Sequence, residues 1–373
     1  MFITSLLNIL QANWTTWAGN AVMIAVGGIL IYLAISKQFE PVLLLPIGFG
    51  CILANLGMSN LQENGLFYYL YKAGIETELF PLLIFIGVGA MIDFSPLLSQ
   101  PQLVLLGAAG QFGIYGTLIL AVLLGLDLNV AASVGSIGAI DGPTAIFVSS
   151  KLAPDYLAPI AVAAYSYMSL IPIIQPPIMK LMTTRKERLV RMEYAPRPVS
   201  KKALIVFPIA VTIVVSVLAP QAAPLIATLM LGNLLRESGV VDRLSKSAQN
   251  EIVNVATLFL GLTIGSTMVA DKFLQPATLA VLVLGLIAFV LDTVAGLLFG
   301  KLMCLISDYK INPLIGACGI SAFPMAARLS AKMAQDEDFD NFILMHAMGS
   351  NTAGQLGSVI AGGLLLTLVS AIH

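Results

Sequence analysis

The sequence predicts an all-α, polytopic membrane fold, and three features carry that prediction. Of 373 residues, 58% are hydrophobic and 10% are charged, whereas an ordinary soluble domain has roughly 25% charged residues. Mean hydropathy is +0.92. Stretches without any Asp, Glu, Lys or Arg cover 1–36, 41–62, 94–126, 156–179, 203–235, 252–270, 273–291 and 341–373. Each is near or beyond the length that crosses hydrocarbon as a helix. Backbone groups left unpaired in lipid are costly, and the alternating pattern of a barrel is absent, so these stretches are expected to be helical.

Along the chain, no Lys or Arg precedes Lys37, which argues against a cleaved leader with a basic n-region. Trp14 and Trp17 read as interfacial anchors. Asp93 and Asp271 follow apolar runs and read as helix ends, whereas Asp292 interrupts one and is a candidate for a proton path. Cys51, Cys304 and Cys318 lie in apolar surroundings without a CxxC pair, so neither a disulfide framework nor a zinc site is indicated. A net charge of −1 gives no strong field to recruit nucleic acid. Basic residues are instead concentrated in one place: Lys180, Arg185, Lys186, Arg188, Arg191, Arg197, Lys201 and Lys202, against Glu187 and Glu193. The positive-inside bias places this loop in the cytoplasm. It also divides the chain, with a basic linker over 184–202 between two transmembrane repeats, 1–183 and 203–373.

The repeat reading rests on a match between the halves. Gly135 to Lys151, GSIGAIDGPTAIFVSSK, lies over Gly316 to Lys332, GACGISAFPMAARLSAK, with Gly135/Gly316, Gly138/Gly319, Pro143/Pro324, Ala145/Ala326, Ser149/Ser330 and Lys151/Lys332 identical. Gln100-Pro101 and Gln275-Pro276 echo one another earlier in each half. Gly and Pro interrupt an apolar run in both copies, which is the pattern of a broken helix or re-entrant hairpin, the element from which secondary transporters build ion sites. Sodium needs little beyond oxygen ligands, and Asp141-Gly142-Pro143-Thr144 and Asn312 to Ser321 contain them. Glycines alone would more simply permit close helix packing, but an intramembrane acid is costly and by default functional, which favours an ion site at Asp141. Arg328 is open between a partner for Asp141, a contact for an anionic substrate and a snorkelling interfacial residue. Lys151 and Lys332 read as interfacial anchors. Tyr165 and Tyr167, in AAYSYMSLIP, are open between a proton relay, a cap on an ion site and interface anchoring.

The strings GAIDGPTAIFVSSKLAP, PIAVAAYSYMSLIPIIQPPIMK, NPLIGACGISAFPMAARLSAK and NFILMHAMGSNTAGQLGSVIAGG are similar to signatures of the β subunits of oxaloacetate, methylmalonyl-CoA and glutaconyl-CoA decarboxylases. The resemblance spans essentially the whole chain. It implies a sodium-translocating decarboxylase subunit in the bacterial inner membrane, which decarboxylates carboxybiotin on a biotin carrier, consumes a proton and exports Na+. Carboxybiotin would arrive on the partner, with no covalent cofactor on this chain. The implied partners are the biotin carrier, a carboxyltransferase α subunit and a small membrane γ or δ subunit, with the β subunit trimeric. Inverted repeats divided into a core and a scaffold are also implied. Carried over residue by residue, the resemblance assigns sodium binding to Asp141, Asn312, Gly316 and Asn351, and catalysis to Arg328, Tyr167, Ser321 and Tyr165. A secondary Na+/H+ antiporter or sodium-coupled symporter is the alternative, because the same broken helices and carboxylate would serve it.

The topology is open to a direct check. A cysteine placed within 180–202 should resist impermeant thiol reagents in intact cells and react in inverted vesicles. Labelling from outside would overturn the orientation.

Overall fold

The computed structural model describes residues 14–38, 40–56, 65–193 and 198–372. Among them the only regular elements are helices. The principal ones are α1 (Trp14–Ser36), α2 (Pro41–Asn55), α3 (Leu79–Met91), α4 (Val104–Ala109), α5 (Phe112–Leu123), α6 (Leu128–Gly135), α7 (Gly142–Leu152), α8 (Leu157–Met182), α9 (Lys201–Leu218), α10 (Ala223–Ser238), α11 (Val253–Thr267), α12 (Pro276–Ile306), α13 (Met325–Glu337) and α14 (Leu344–Ile372). Five helices among the described residues are long and apolar enough to cross a membrane, or up to seven if two bent pairs each count as one span. One bent pair is α8, which turns by 62° near its middle and carries Pro172, Pro176 and Pro177. Proline removes a helix donor and crowds the preceding turn. The other joins Leu66–Glu76 to α3 at 58° through a π-helical segment, Tyr71–Glu76.

Two helix pairs form a scaffold, and both depend on glycine at the crossing. Between α2 and α11, a Cβ on Gly50 would meet the Leu262 carbonyl and one on Gly265 the Ile47 carbonyl. Between α3 and α10, a Cβ on Gly89 would meet the Leu229 carbonyl and one on Gly232 the Ile86 carbonyl. Small residues let backbones approach where lipid offers helices no hydrophobic drive to associate. Side-chain amides then bridge the pairs: Asn55 Nδ2 donates to the Met268 carbonyl at 2.7 Å, and Asn233 Nδ2 to the Ile92 carbonyl at 3.0 Å.

Two broken-helix hairpins open at opposite ends; α7 of the first packs on α3, and the second packs on α12 and α14. The first is α6, a 3₁₀ turn over Ser136–Ala139, and α7. Its base residues Leu128 and Leu152 pack beside Leu365 and Val369, near the C-terminal end of α14. The second is a 3₁₀ segment, Pro313–Cys318, followed by α13. Its base is tied to the basic loop: Asn312 Nδ2 donates to the Arg188 and Val190 carbonyls at 3.0 and 2.8 Å, and Arg188 pairs with Glu337 at 2.7 Å. Near the N-terminal end of α14, Asn341 donates to the same two carbonyls. Since α14 has 29 residues, it is about 43 Å long at ~1.5 Å per residue, and the two bases lie near its opposite ends.

The basic loop is an ordered clamp over 184–193. Thr184 and Glu187 form a capping box around the short helix Arg185–Arg188, and Arg191 pairs with Asp338 at 2.7 Å. Burial opposes ionisation of Glu187, but hydrogen bonds from Thr184 and the nearby Lys301 ammonium outweigh it and hold the carboxyl below its ordinary range. Arg197 lies outside the described residues, as does the side chain of Trp14; Trp17 is exposed. The three cysteines are buried and unpaired. Asp93 accepts a hydrogen bond from the Ser95 amide at 2.8 Å, and Asp271 opens the short helix Ala270–Phe273.

The glycine crossings carry a prediction. Gly232→Val should lower the thermal midpoint of the detergent-purified protein or prevent its accumulation, since overpacking costs about 1–3 kcal/mol or more. Gly28→Val, where an added Cβ meets nothing within 4 Å, should have little effect. Equal stability of the two variants would contradict the assignment of Gly232 to a tight crossing.

Candidate functional site

The two hairpin tips meet. The Ser321 amide of the second donates to the Ala139 carbonyl of the first at 3.3 Å. Ile140 packs in one buried cluster with Ile320, Ala322, Ala326, Ile171 and Phe289. Ile140 has φ +51°, a left-handed conformation that a β-branched residue adopts only where its surroundings impose it. That twist ends the 3₁₀ turn and sets Asp141, in extended geometry, at the N-terminus of α7.

Asp141 is buried at 7% exposure. Its Oδ2 accepts from the Thr144 hydroxyl at 2.6 Å and from Gln355 Nε2 at 3.1 Å. Gln355 belongs to α14, where Asn351, Gln355 and Ser358 recur at helical spacing along one face. Asn351 Nδ2 donates to the Ile320 carbonyl at 2.6 Å. Its Oδ1 is buried without a hydrogen-bond partner among the described residues. Ser358 shares a hydroxyl contact with Ser321 and donates to Gln111 Oε1 at 3.1 Å. Gln111 Nε2 reaches back to the Gly319 carbonyl at 3.1 Å. A polar seam thus runs from Asp141 along α14 to the tip of the second hairpin. Gly354 makes the approach possible, since a Cβ there would strike the Gly319 backbone.

A related arrangement surrounds Asp292, which is fully buried in α12. Its Oδ1 accepts from the Gly113 amide at the start of α5, and its Oδ2 lies beside Gly138 without a partner among the described residues. The 181-residue offset that aligns the hairpins also maps Gln111 onto Asp292 and Gly138 onto Gly319. Gln111 against Gly319 therefore has its counterpart in Asp292 against Gly138.

Of the residues singled out in the sequence, Asp141, Ser321 and Asn351 are gathered at the meeting of the tips, with Tyr165 beside them: its ring occupies the space a Cβ on Gly142 would need. Tyr167 is close by, but its hydroxyl donates to the Leu282 carbonyl at 2.5 Å, and neither tyrosine serves as a surface anchor. Asn312 is elsewhere, with its Oδ1 accepting from the Leu314 amide at 3.0 Å and its Nδ2 holding the basic loop. Gly316 lies against Gly296 and Gly300 of α12, where a side chain would strike backbone. The pairing of Arg328 with Asp141 does not form. Arg328 is exposed on the first turn of α13, its side chain with no hydrogen bond or ion pair among the described residues, while Asp141 is satisfied by Thr144 and Gln355. Lys151 pairs with Glu78 at 3.0 Å, and Lys332 is exposed.

Oxygen ligands of low total charge suit this site. Among the described residues no group of three or more His, Cys, Asp or Glu could hold a metal ion, so a transition-metal centre has no basis there. One carboxylate with neutral hydroxyl and amide oxygens fits a monovalent hard cation.

The family model of the Na+-transporting oxaloacetate decarboxylase beta subunit matches residues 19–369. The chain belongs to that family. It is 52% identical over 352 residues to the methylmalonyl-CoA decarboxylase subunit beta of Veillonella parvula, covering 94% of each chain. It is 50% identical over 371 residues to the glutaconyl-CoA decarboxylase subunit beta of Acidaminococcus fermentans, covering 99% of this chain and 98% of the other. With the oxaloacetate decarboxylase beta chain of Klebsiella pneumoniae the identity is 46% over 417 residues, covering 95% and 96%. The chain is thus a multi-pass membrane subunit of the sodium-transporting decarboxylase type, and the antiporter alternative finds no support.

The position of Asn312 generates a prediction. Asn312→Ala removes a cap and two ties to the basic loop, which should cost about 1–3 kcal/mol. It should lower thermal stability while leaving the sodium concentration for half-activation unchanged in the folded fraction. A large rise in that concentration at unchanged stability would make Asn312 a sodium ligand instead.

Proposed function

We propose that this chain decarboxylates carboxybiotin presented by a biotin carrier and uses the reaction to export sodium across the bacterial inner membrane. The N–CO2 bond breaks, carbon dioxide leaves, and the ring nitrogen takes up one proton. Sodium binds at the hairpin tips, with Asp141 as its carboxylate and Thr144, Asn351, Ser321 and Gln355 as neutral oxygen donors. The oxygen of Asn351, buried and without a partner among the described residues, one helical turn from the amide bonded to Asp141, carries this reading. Such an acceptor costs free energy unless a cation or donor occupies it.

Asn312 and Gly316 act at the base and arm of the second hairpin, fixing where its tip lies. Arg328, charged and without an ion-pair partner among the described residues, is available to the substrate carboxylate. Tyr165 and Ser321 lie next to the ion site and can carry the proton, with Tyr167 behind them. The two halves, 1–183 and 203–373, are inverted repeats joined by the linker 184–202. The opposed hairpins, the matched glycine crossings and the Gln111/Asp292 correspondence support this. The complex includes a carboxyltransferase α subunit and a small γ or δ subunit, with the β subunit trimeric. Relatives named for methylmalonyl-CoA and glutaconyl-CoA favour an acyl-CoA as the acid, a choice made in the carboxyltransferase.

Moving one charge against the membrane potential costs about 2.3 kcal/mol per 100 mV, so decarboxylation must not proceed freely without the ion. Asp141→Asn keeps the side chain's size and removes its charge. Sodium uptake into inverted vesicles and sodium-stimulated decarboxylation should both collapse in this variant. In the unsubstituted protein, avidin should stop both. Normal sodium activation in Asp141→Asn would sink the assignment, and avidin-insensitive uptake would favour a stand-alone carrier.

A further inference from the structure

Asp292 is used neither by the ion site nor by the chemistry proposed above, and its surroundings are unusual for an acid. It is fully buried near the middle of α12. Its Oδ1 accepts from the amide of Gly113, the second residue of α5, where an amide has no acceptor within its own helix. Its Oδ2 has no hydrogen-bond partner among the described residues. A Cβ on Gly138 would meet that oxygen, so it faces the tip of the first hairpin three residues before Asp141. One turn beyond Gly113 along α5, the Thr117 hydroxyl is also buried without a partner among the described residues.

No fixed cation offsets this carboxyl. The turn 136–139, the segment 313–318, α4, α5, α6 and α8 pack against α12. Their titratable groups are Tyr115, Tyr165, Tyr167, Cys318 and Lys180. Lys180 is exposed in the last turn of α8. On α12 itself, Cys304 is buried, and Lys301 pairs with Glu187 at 3.4 Å. An isolated carboxylate is far more costly to bury than a neutral acid, so Asp292 calls for a mobile cation. Sodium would need several oxygens, whereas Asp292 has one free, and the nearby Ser136 hydroxyl donates to the Ser133 carbonyl at 2.6 Å. A proton needs only one. The repeat offers an internal comparison in Gln111, whose Nε2 and Oε1 are both satisfied, by the Gly319 carbonyl and by Ser358. An uncharged amide therefore suffices for packing at this place in the repeat, and what a carboxyl adds is the capacity to bind and release a proton.

We infer that Asp292 is a proton-binding site of the pump, holding on Oδ2 the proton that the reaction consumes. This inference rests on the proton uptake in the function proposed above and names the group that holds the proton inside the protein. In each cycle the un-ionised acid gives up one proton and becomes a carboxylate, which takes one proton from water to return to its loaded form; no electrons are exchanged. The position couples this site to sodium. Gly138, beside Oδ2, and Asp141 belong to one hairpin tip, so a shift of the tip on ion binding alters the surroundings of the proton.

The test uses the assembled complex. Asp292→Asn keeps an acceptor for the Gly113 amide and cannot carry the proton. Equilibrium binding of radioactive sodium should be unchanged, while sodium-stimulated decarboxylation falls about tenfold or more. The loaded acid empties as pH rises, so the unsubstituted complex should lose activity on the alkaline side, and the residual rate of Asp292→Asn should be flat there. Asp292→Glu should restore part of the rate with its alkaline limb displaced. Infrared spectra of the purified protein need no turnover: the carbonyl band of an un-ionised carboxylic acid should be lost in Asp292→Asn, kept in Asp141→Asn and shifted in Asp292→Glu, which serves if the Asn variant does not accumulate. Normal turnover and pH profile in Asp292→Asn, weakened sodium binding in that variant, or a band indifferent to substitution at Asp292 would overturn the inference. A complex that shows the band but decarboxylates no carboxybiotin would instead overturn the proposed function and leave Asp292 standing as a proton site.

Discussion

Backbone that leaves its helix inside a bilayer must find partners within the protein, because hydrocarbon offers none. That constraint shapes the centre of this molecule. Two hairpins unwind at Ile137–Asp141 and Gly319–Phe323, freeing carbonyls at a depth where each unpaired group costs several kcal/mol. The Ala139 carbonyl is taken by the Ser321 amide, Gly319 by Gln111, Ile320 by Asn351, and Ala317, just before the tip, by Gln175 at 3.1 Å. Most of the buried polar side chains of α4–α5, α8 and α14 are explained by this requirement, and the glycines by the closeness it demands.

The same requirement would favour the ion site proposed here. A segment whose carbonyls and N-termini are held by neighbouring side chains is a set of oxygens already arranged and desolvated, so a cation entering it replaces its water shell without reorganising the protein. In the proposed site Asp141 supplies the one negative charge that balances a monovalent ion. Because the tips belong to hairpins rooted at opposite ends, a shift of either root would change the distance between the proposed ligands, and the second hairpin and α14 join the basic loop to those ligands by covalent continuity.

Much of this was legible in the sequence because its signals are strong ones. Charge-free runs marked the membrane spans, and Gly-Pro interruptions in GAIDGP and GISAFP marked both tips. Asp141 stood out as an acid inside an apolar block. Gln111, Gln355 and Ser358 escaped notice because an uncharged polar residue within an apolar run has no distinctive local pattern, although Asn351, Gln355 and Ser358 share the spacing of one helical face. A pairing of Arg328 with Asp141 was one of three readings left open by the sequence, and it does not form because the hairpins meet tip to tip and Arg328 lies beyond its tip on an exposed face of α13. Asn312 and Asp141 occupy related blocks without sharing a place, because the first begins its hairpin and the second ends a turn at the tip.

The central claim is that one sodium ion draws ligands from the first hairpin and from α14 where it supports the second. A double-mutant cycle on sodium activation measures this directly, using Thr144→Ala, Asn351→Ala and the pair in the assembled complex. The account predicts that each substitution alone raises the sodium concentration for half-activation, and that the pair raises it by clearly less than the product of the two. Strictly multiplicative effects, or an Asn351→Ala variant with unaltered sodium dependence, would contradict a shared ion at the meeting of the hairpins.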